Sequence, residues 1–563
     1  MCIKGGLEMK DNLKLPIGIA SFKEVVSNCY YVDKTNIIAK LCNYPKESVL
    51  LFTRPRRFGK SLTLSMIDAF FNRNETKVET YFEKTEISKD KNAMSLMSSF
   101  PVVHLDMKEV VGTTLSEMLQ LLGNQIARCY HSFPELMTSD RISESDHVFM
   151  KKAEFNQLDK AELILSLNRL TRAIKNHFSV CPIVLIDEYD APLQNAYDQG
   201  FYNDAISVFK PFYSSALKGN DCLQLAILTG VMQVAKESMF SGLNNIIVNS
   251  VLDSSFDEYF GFTDKEVERL LSYYHLEEKK EEVRSWYDGY LFGKEAVYNP
   301  WSILCYVANG GEAKDYWKMT GENSLLKNVL HEGNEEIKTI LNSLINHESV
   351  TEFLDFSMNY SDKHYDKKTV LSILVSSGYL TVSQSLGMGL YSLRIPNKEI
   401  QSVFVNEVLS LLPNRSVLEN LIFLRNAFAS GNSDMIQTLF ENVFLSSFSY
   451  FDFSDEKNYQ ILLLTLSSVL FEDAIVKSEV IQGTGRCDIQ ILSKKNDFGF
   501  IIEVKAYKGN VSSSRLSEYS EKALKQIIDN RYDEELKNRK VKKIIAYGFA
   551  FSKKHVKLSK KAV

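Results

Sequence analysis

The sequence predicts an α/β protein in three parts: a parallel, helix-covered sheet over residues 1–262, a mainly helical region over 263–440, and a smaller α/β domain over 441–563. Three observations carry this. Apolar runs near residues 49, 101, 182, 223 and 245 alternate with helical stretches, the pattern of parallel strands joined by crossover helices. From about residue 260 the pattern changes to amphipathic helices such as TDKEVERLLSYY at 263–274. Finally, GRCDIQILSKKNDFGFIIEVKAY at 485–507 alternates apolar and polar residues on either side of a polar turn, which describes a β-hairpin.

A chain of 563 residues exceeds one hydrophobic core and predicts about three to four domains. Its net charge of −5 excludes a surface that is basic throughout, so any nucleic-acid contact must be local. Eight cysteines stand singly, with no CxxC pair and no His at zinc-ligand spacing, and read as reduced thiols of a cytoplasmic protein. No apolar run approaches about 18 residues and no signal-peptide layout opens the chain, so no membrane partner is expected. Met9 is a second candidate start.

The first element is VLLFTRPRRFGKSLTLS at 49–65, a five-residue apolar strand, a basic turn and a helix opening at Gly59-Lys60-Ser61. Backbone N–H groups at a helix N-terminus attract a polyanion, Lys60 would reach the β- and γ-phosphates, and the Ser61 hydroxyl would ligate Mg²⁺. The full GxxxxGK[ST] spacing would place glycine at Arg54, so the first turn is made by a residue with a Cβ. Arg54, Arg56 and Arg57 add positive charge to this loop. A basic turn capping a helix yields the same triplet; the strand before it favours phosphate binding.

LPIGIASF at 15–22 and YYVDKT at 30–35 read as ordered loop and short helix. FPVVHLDM at 100–107 is a buried strand, and 114–178 is helical with breaks near Pro134 and over 139–146. CPIVLIDEYD at 181–190 is a strand that ends in adjacent acids. Paired with a phosphate loop, Asp187 would join the Mg²⁺ shell and Glu188 would orient and deprotonate the attacking water. LQLAILTG at 223–230 places Thr229 where a γ-phosphate sensor could sit, although a threonine at a strand end is also an ordinary turn residue.

In the middle region, WYDGYLFG at 286–293 and YNPWSILCYV at 298–307 read as aromatic loops, with Trp286, Trp301 and Trp317 as packing anchors. Residues 371–397 read as a helix and a hairpin, a candidate winged element.

If the C-terminal turn is symmetrical about Lys495 and Asn496, Asp488 lies opposite Glu503, and Lys505 shares their face. Ile489, Ile491, Phe500, Ile502 and Val504 would then pack on the other. Two carboxylates and an ammonium on one face suit a hard divalent cation and a phosphoryl group, whereas a surface ion pair is the bland alternative. A helix at 515–530 and a strand at 541–551 follow, and from Leu536 onward there are ten Lys or Arg and no acid. This run reads either as a phosphate-tracking surface or as a solvated basic tail.

Taken together, LPIGIASF, YYVDKT, RPRRFGKS, VLIDEYDAPL, TGV, SGLNNI, WYDGY, YNPWSIL and GRCDIQIL…FIIEVKAY resemble, in order, the predicted AAA-type ATPases joined to a C-terminal PD-(D/E)XK nuclease superfamily domain. The resemblance implies a P-loop NTPase fold whose phosphate loop takes the form RPRRFGKS, with Lys60 and Ser61 at the nucleotide and its Mg²⁺; Arg57, Gly59 and Thr229 are the further nucleotide-binding candidates. It implies that Asp187 and Glu188 form the Walker B pair, and that Asp488, Glu503 and Lys505 form the D…ExK core, with Glu456 and Gln526 as the nearest matches to its accessory residues. ATP, Mg²⁺ (Mg²⁺ or Mn²⁺ at the nuclease-like site) and a nucleic acid, DNA before RNA, are the implied ligands. A homo-oligomer is a candidate assembly, but no arginine is identifiable as one reaching a neighbour's nucleotide. The expectation is an ATPase coupled to a metal-dependent nuclease; the alternative is a nucleotide switch or scaffold whose C-terminal domain binds without cutting.

Overall fold

A computed structural model describes residues 13–233, 245–317, 335–345, 349–356, 367–410, 416–441, 456–471, 474–482, 485–507, 509 and 511–563. The SGLNNI motif lies almost wholly outside these residues. The chain divides into two compact units, residues 1–320 with 351–400, and residues 321–350 with 401–563.

The first unit is built on five parallel strands, β1 (Ser48–Thr53), β2 (Val102–Asp106), β3 (Ile183–Asp187), β4 (Leu225–Gly230) and β5 (Ile246–Asn249), in the order β2-β3-β4-β1-β5. Every residue of β1, β3 and β4 is buried, as a sheet covered on both faces requires. That explains why these strands read as continuous apolar runs rather than as alternation. The helical stretch at 114–178 resolves into helices Leu115–His131, Glu144–Glu154 and Lys160–Phe178. The last opens on a capping box in which Asp159 and Glu162 satisfy each other's backbone N–H. The strand order places β4 between β1 and β3, so the phosphate loop after β1 and the acids after β3 flank the end of β4.

The aromatic segments of the middle region are regular structure, not loops. Trp286 and Tyr287 end the helix Lys280–Tyr287, and β6 (Phe262–Thr263), β7 (Tyr290–Phe292) and β8 (Glu295–Tyr298) form a sheet in the order β6-β8-β7. Asn299 then caps the helix Pro300–Ala308, its Oδ1 accepting from the N–H groups of Trp301 and Ser302. Proline at the first helical position has no N–H to satisfy, so YNPWS is a helix start. The three tryptophans are packing residues, as expected: Trp317 meets Tyr379 edge-on at 4.9 Å, while Trp286 and Trp301 pack against the buried cluster around Tyr287 and Tyr306. The helix-and-hairpin reading of 371–397 holds as helix Lys367–Ser377 and an antiparallel pair, with β9 (Val350–Phe353), β10 (Thr381–Gly387) and β11 (Leu390–Arg394) in the order β10-β11-β9.

The second unit carries a mixed sheet of β12 (Ala474–Gln482), β13 (Gly485–Ser493), β14 (Gly499–Ala506), β15 (Ile544–Ser552) and β16 (His555–Ala562), in chain order. β14 and β15 are parallel and joined through the helix Ser513–Asp529; the other neighbours are antiparallel. One face buries Ile489, Ile491, Phe500, Ile502 and Val504 against residues of the helices Ser416–Ser430, Ser433–Leu439 and Glu456–Leu470. The first two helices, which sequence alone grouped with the middle region, thus pack on the C-terminal sheet. Leu492, Ile501 and Ala546 face Ile527, Tyr532 and Leu536 on the other side.

The basic run after Leu536 is not a tail, because most of it forms β15 and β16. Several of its cations are paired: Lys537 with Asp533, Arg539 with Glu535, and Lys542 with Asp497. Among the described residues no helix is long and apolar enough to cross a membrane.

Candidate nucleotide and nuclease sites

β1 leads into the loop Arg54–Gly59, and Lys60 opens the helix Lys60–Phe71. Gly59 has φ of 80°; no atom lies within 4 Å of where its Cβ would stand, so the left-handed backbone and not crowding favours glycine there. Arg57 is left-handed as well, at φ 71°. Lys60 is buried, and its Nζ donates to the carbonyls of Arg54 and Pro55, at 2.9 Å each. Burial pulls its pKa down while Glu188, Asp187 and Asp190 oppose that. Ser61, the second residue of the helix, stays partly exposed.

Two of the loop arginines are engaged with the protein. Arg54 is fully buried, donates from Nη1 to Thr53 O at 2.9 Å and Asn249 O at 2.8 Å, and from Nη2 to Phe256 O at 3.4 Å. Its guanidinium lies over the rings of Phe260 and Phe292, and burial pushes its pKa down to about 10. This side chain therefore ties β1 to β5 and the segment beyond it, and adds no charge to a phosphate cradle, contrary to its sequence-based reading. Arg57 stacks over Trp301 at 4.3 Å.

At the end of β3, Asp187 is buried and its Oδ1 accepts from the Thr229 hydroxyl and, at 3.1 Å, from Glu188 N. Glu188 N also approaches Thr229 Oγ1 at 3.3 Å, so Thr229 holds the turn that bears both acids. Glu188 has φ of 50°, an unusual backbone for glutamate that re-aims its side chain as the strand ends. Burial raises its pKa, with Lys60 pulling the other way. Asp190, which sequence inspection left without a role, is buried and accepts from the N–H groups of Val231 at 3.0 Å and Met232 at 2.8 Å. The only sequence signal for it was its place in DEYD.

In the second unit the expected hairpin register holds. Ile489 pairs with Ile502 and Ile491 with Phe500, and one further step in that register sets Asp488 opposite Glu503. Val504 N donates to Asp488 Oδ2 at 2.7 Å. Lys505 Nζ donates to Glu503 Oε1 at 2.9 Å, and the Gln526 amide, from the helix Ser513–Asp529, donates to the same oxygen. Glu456 opens its helix with Oε2 accepting from Ala506 N at 3.2 Å and Oε1 3.8 Å from Lys505 Nζ. All five residues converge.

Glu503 Oε2 is buried and meets no donor. Burial, reinforced by Asp488, raises the Glu503 pKa to about 7, and burial raises Asp488 to about 6. Burial disfavours the charged form of both acids, and a positive charge placed beside them would offset that. Among the described residues no group of three or more His, Cys, Asp or Glu is arranged to hold a metal ion. Two carboxylates with an unpartnered oxygen nonetheless fit Mg²⁺, which takes one or two protein carboxylates and completes its shell with water and substrate phosphate.

A parallel sheet with a glycine-lysine-serine loop and strand-end acids, and a mixed sheet with a D…ExK constellation, are the features of a P-loop-like domain followed by a nuclease-like domain. Residues 16–240 match the family described as Predicted AAA-ATPase, and residues 454–561 match the PD-(D/E)XK nuclease superfamily, so the two matches stand in the order the sequence led one to expect. It is also similar to the uncharacterized protein in the vnfD 5′ region of Azotobacter chroococcum mcd 1, at 29% identity over 442 residues, 77% of each chain.

Proposed function

We propose that the protein is a Mg²⁺-dependent ATPase coupled to a metal-dependent nuclease acting on DNA, with nucleotide state controlling the nuclease. One observation carries this reading: Glu503 presents one oxygen to Lys505 and Gln526 and keeps the other buried without a donor. A surface ion pair has no reason to bury an acceptor unmet, because that costs about 1–3 kcal/mol.

In the ATPase, Lys60 would leave its two loop carbonyls for the β- and γ-phosphate oxygens, where its charge offsets that of the leaving group. Glu188, whose raised pKa makes it a better base, would take the proton of the attacking water. Thr229 would hold the acids beside the γ-phosphate, and Arg57 would close the loop side of the nucleotide. In the nuclease, Lys505 would orient the attacking water and stabilise the negative charge that develops on the phosphoryl oxygens. Mg²⁺ held by Ser61 and Asp187, and Mg²⁺ or Mn²⁺ held by Asp488 and Glu503, would supply Lewis-acid stabilisation of those charges. The seven unbridged cysteines among the described residues suit a reducing compartment such as the cytoplasm. A homo-oligomer belongs to the proposal only as the usual route by which such ATPases complete their sites.

The test is cleavage of circular single-stranded and duplex DNA by purified protein with Mg²⁺ or Mn²⁺, beside Glu503→Ala. Cleavage lost in the variant supports the nuclease. No cleavage under any condition, with ATP hydrolysis intact, supports the alternative of a nucleotide switch whose C-terminal domain binds without cutting.

A further inference from the structure

The strand that bears Glu503 and Lys505 continues to Tyr507, whose N–H still donates to Phe551 O at 2.9 Å on the neighbouring strand. Residues 503, 505 and 507 therefore keep the period of two that puts side chains on one face. Facing them, the helix Ser513–Asp529 presents Arg515, Tyr519, Lys522 and Gln526, spaced four, three and four, which is one stripe of an α-helix. Gln526 reaches Glu503, and two turns earlier Tyr519 stacks on Tyr507, with ring centroids 3.8 Å apart and planes 14° from parallel. Both rings are half-buried. Lys522 Nζ lies 5.2 Å and the Arg515 guanidinium 5.9 Å from the Tyr519 centroid. Lys522 also pairs with Glu518 at 2.9 Å, so its charge is shared.

We infer that Tyr507 and Tyr519 form a stacking platform for an unpaired nucleotide, with Arg515 and Lys522 on its phosphates, beside the proposed nuclease centre. Helix packing alone explains two apolar contacts; it does not explain a coplanar, half-exposed pair flanked by cations in line with Lys505. The seven-residue step from Tyr519 to Gln526 spans about 10 Å along the helix, so the platform would hold a nucleotide one to three positions from the scissile phosphate. Stacking is tolerant of base identity, so the substrate class is single-stranded or locally unpaired nucleic acid without a sequence requirement. This inference rests on the nuclease reading of Asp488, Glu503 and Lys505.

The test measures binding of labelled dT12, rU12 and an abasic strand of the same length to the full-length protein in chelator, so that nothing is cut. Wild type is expected to bind dT12 or rU12 about tenfold more tightly than the abasic strand. Tyr519→Ala should lose that advantage, Tyr519→Phe should retain it, and Arg515→Ala should lower the salt dependence by about one unit of log–log slope. Abasic and base-bearing strands bound equally by wild type, or no binding of any strand, would overturn the platform, and the wild-type comparison does not depend on any variant folding. The two readings fail separately. Unchanged binding in Tyr519→Ala with cleavage lost in Glu503→Ala removes the platform and keeps the nuclease; the reverse pair of results removes the nuclease.

Discussion

The Thr229 hydroxyl donates to Asp187 Oδ1 while the same threonine oxygen lies 3.3 Å from Glu188 N, so a single side chain at the end of β4 holds both acids at the end of β3. Both links follow from strand order, since β4 lies between the phosphate-loop strand and the acid strand. Replacing Thr229 with valine keeps the shape and removes the hydroxyl. ATP hydrolysis is expected to fall by about one to two orders of magnitude, with thermal stability lowered by about 1–3 kcal/mol because buried polar groups lose a partner. Thr229→Ser should restore both, as measured by phosphate release and thermal unfolding.

Arg54 predicts a stability effect where a generic phosphate loop predicts none. Arg54→Gly restores the expected GxxxxGK[ST] spacing, yet it strips three carbonyls, those of Thr53, Asn249 and Phe256, of a buried donor. The variant should lose about 3 kcal/mol or more of stability in the first unit, read by thermal unfolding. A fully stable Arg54→Gly protein would contradict the structural role assigned to this arginine.

A second stability prediction concerns pH. Glu399 is buried, accepts from Ser302 Oγ at 2.8 Å and Trp317 N at 2.9 Å, and burial raises its pKa to about 7. Its folded pKa exceeds that of an unfolded glutamate, so the folded state favours the protonated form. The resulting stabilisation is complete below about pH 4.5 and disappears as pH rises through about 7, an effect on the order of 3 kcal/mol. Glu399→Gln should flatten the dependence of thermal stability between pH 5 and pH 8, and equal slopes in the two proteins would contradict the assignment.

At the C-terminal site, the Gln526 amide donates to the Glu503 oxygen that Lys505 also holds. Gln526→Ala should slow cleavage by about tenfold and leave nucleic-acid affinity unchanged, whereas Lys505→Ala should abolish turnover. Single-turnover cleavage alongside binding in chelator separates the two effects.

Much of this was legible in the sequence because it is local. A five-residue apolar run before Gly59-Lys60-Ser61, and four apolar residues before Asp187-Glu188, fix strand ends and the groups they carry. The hairpin register followed from one turn, since Ser493 N meets Phe498 O at 3.0 Å around Lys495 and Asn496. Long-range partners were not legible. Nothing near Arg54 indicates that its guanidinium turns away to Asn249 and Phe256, about 200 residues on, nor that Arg57 stacks over Trp301. WYDGYLFG and YNPWSILCYV read as loops because aromatic residues fit a buried short strand, a helix start and a loop alike; Asn299 with Pro300 was the signal for the helix. The parallel pairing of β14 with β15, which buries the acid face of the hairpin beneath the helix Ser513–Asp529, is likewise a matter of tertiary structure.

The most direct test of the central claim is the initial rate of circular DNA cleavage in Mg²⁺, with and without ATP, for wild type, Lys60→Ala and Glu503→Ala. Nucleotide control predicts that ATP changes the wild-type rate severalfold or more, that Lys60→Ala abolishes this response, and that Glu503→Ala cuts under neither condition. A wild-type rate indifferent to ATP and to Lys60→Ala would contradict the account, leaving two activities on one chain without coupling.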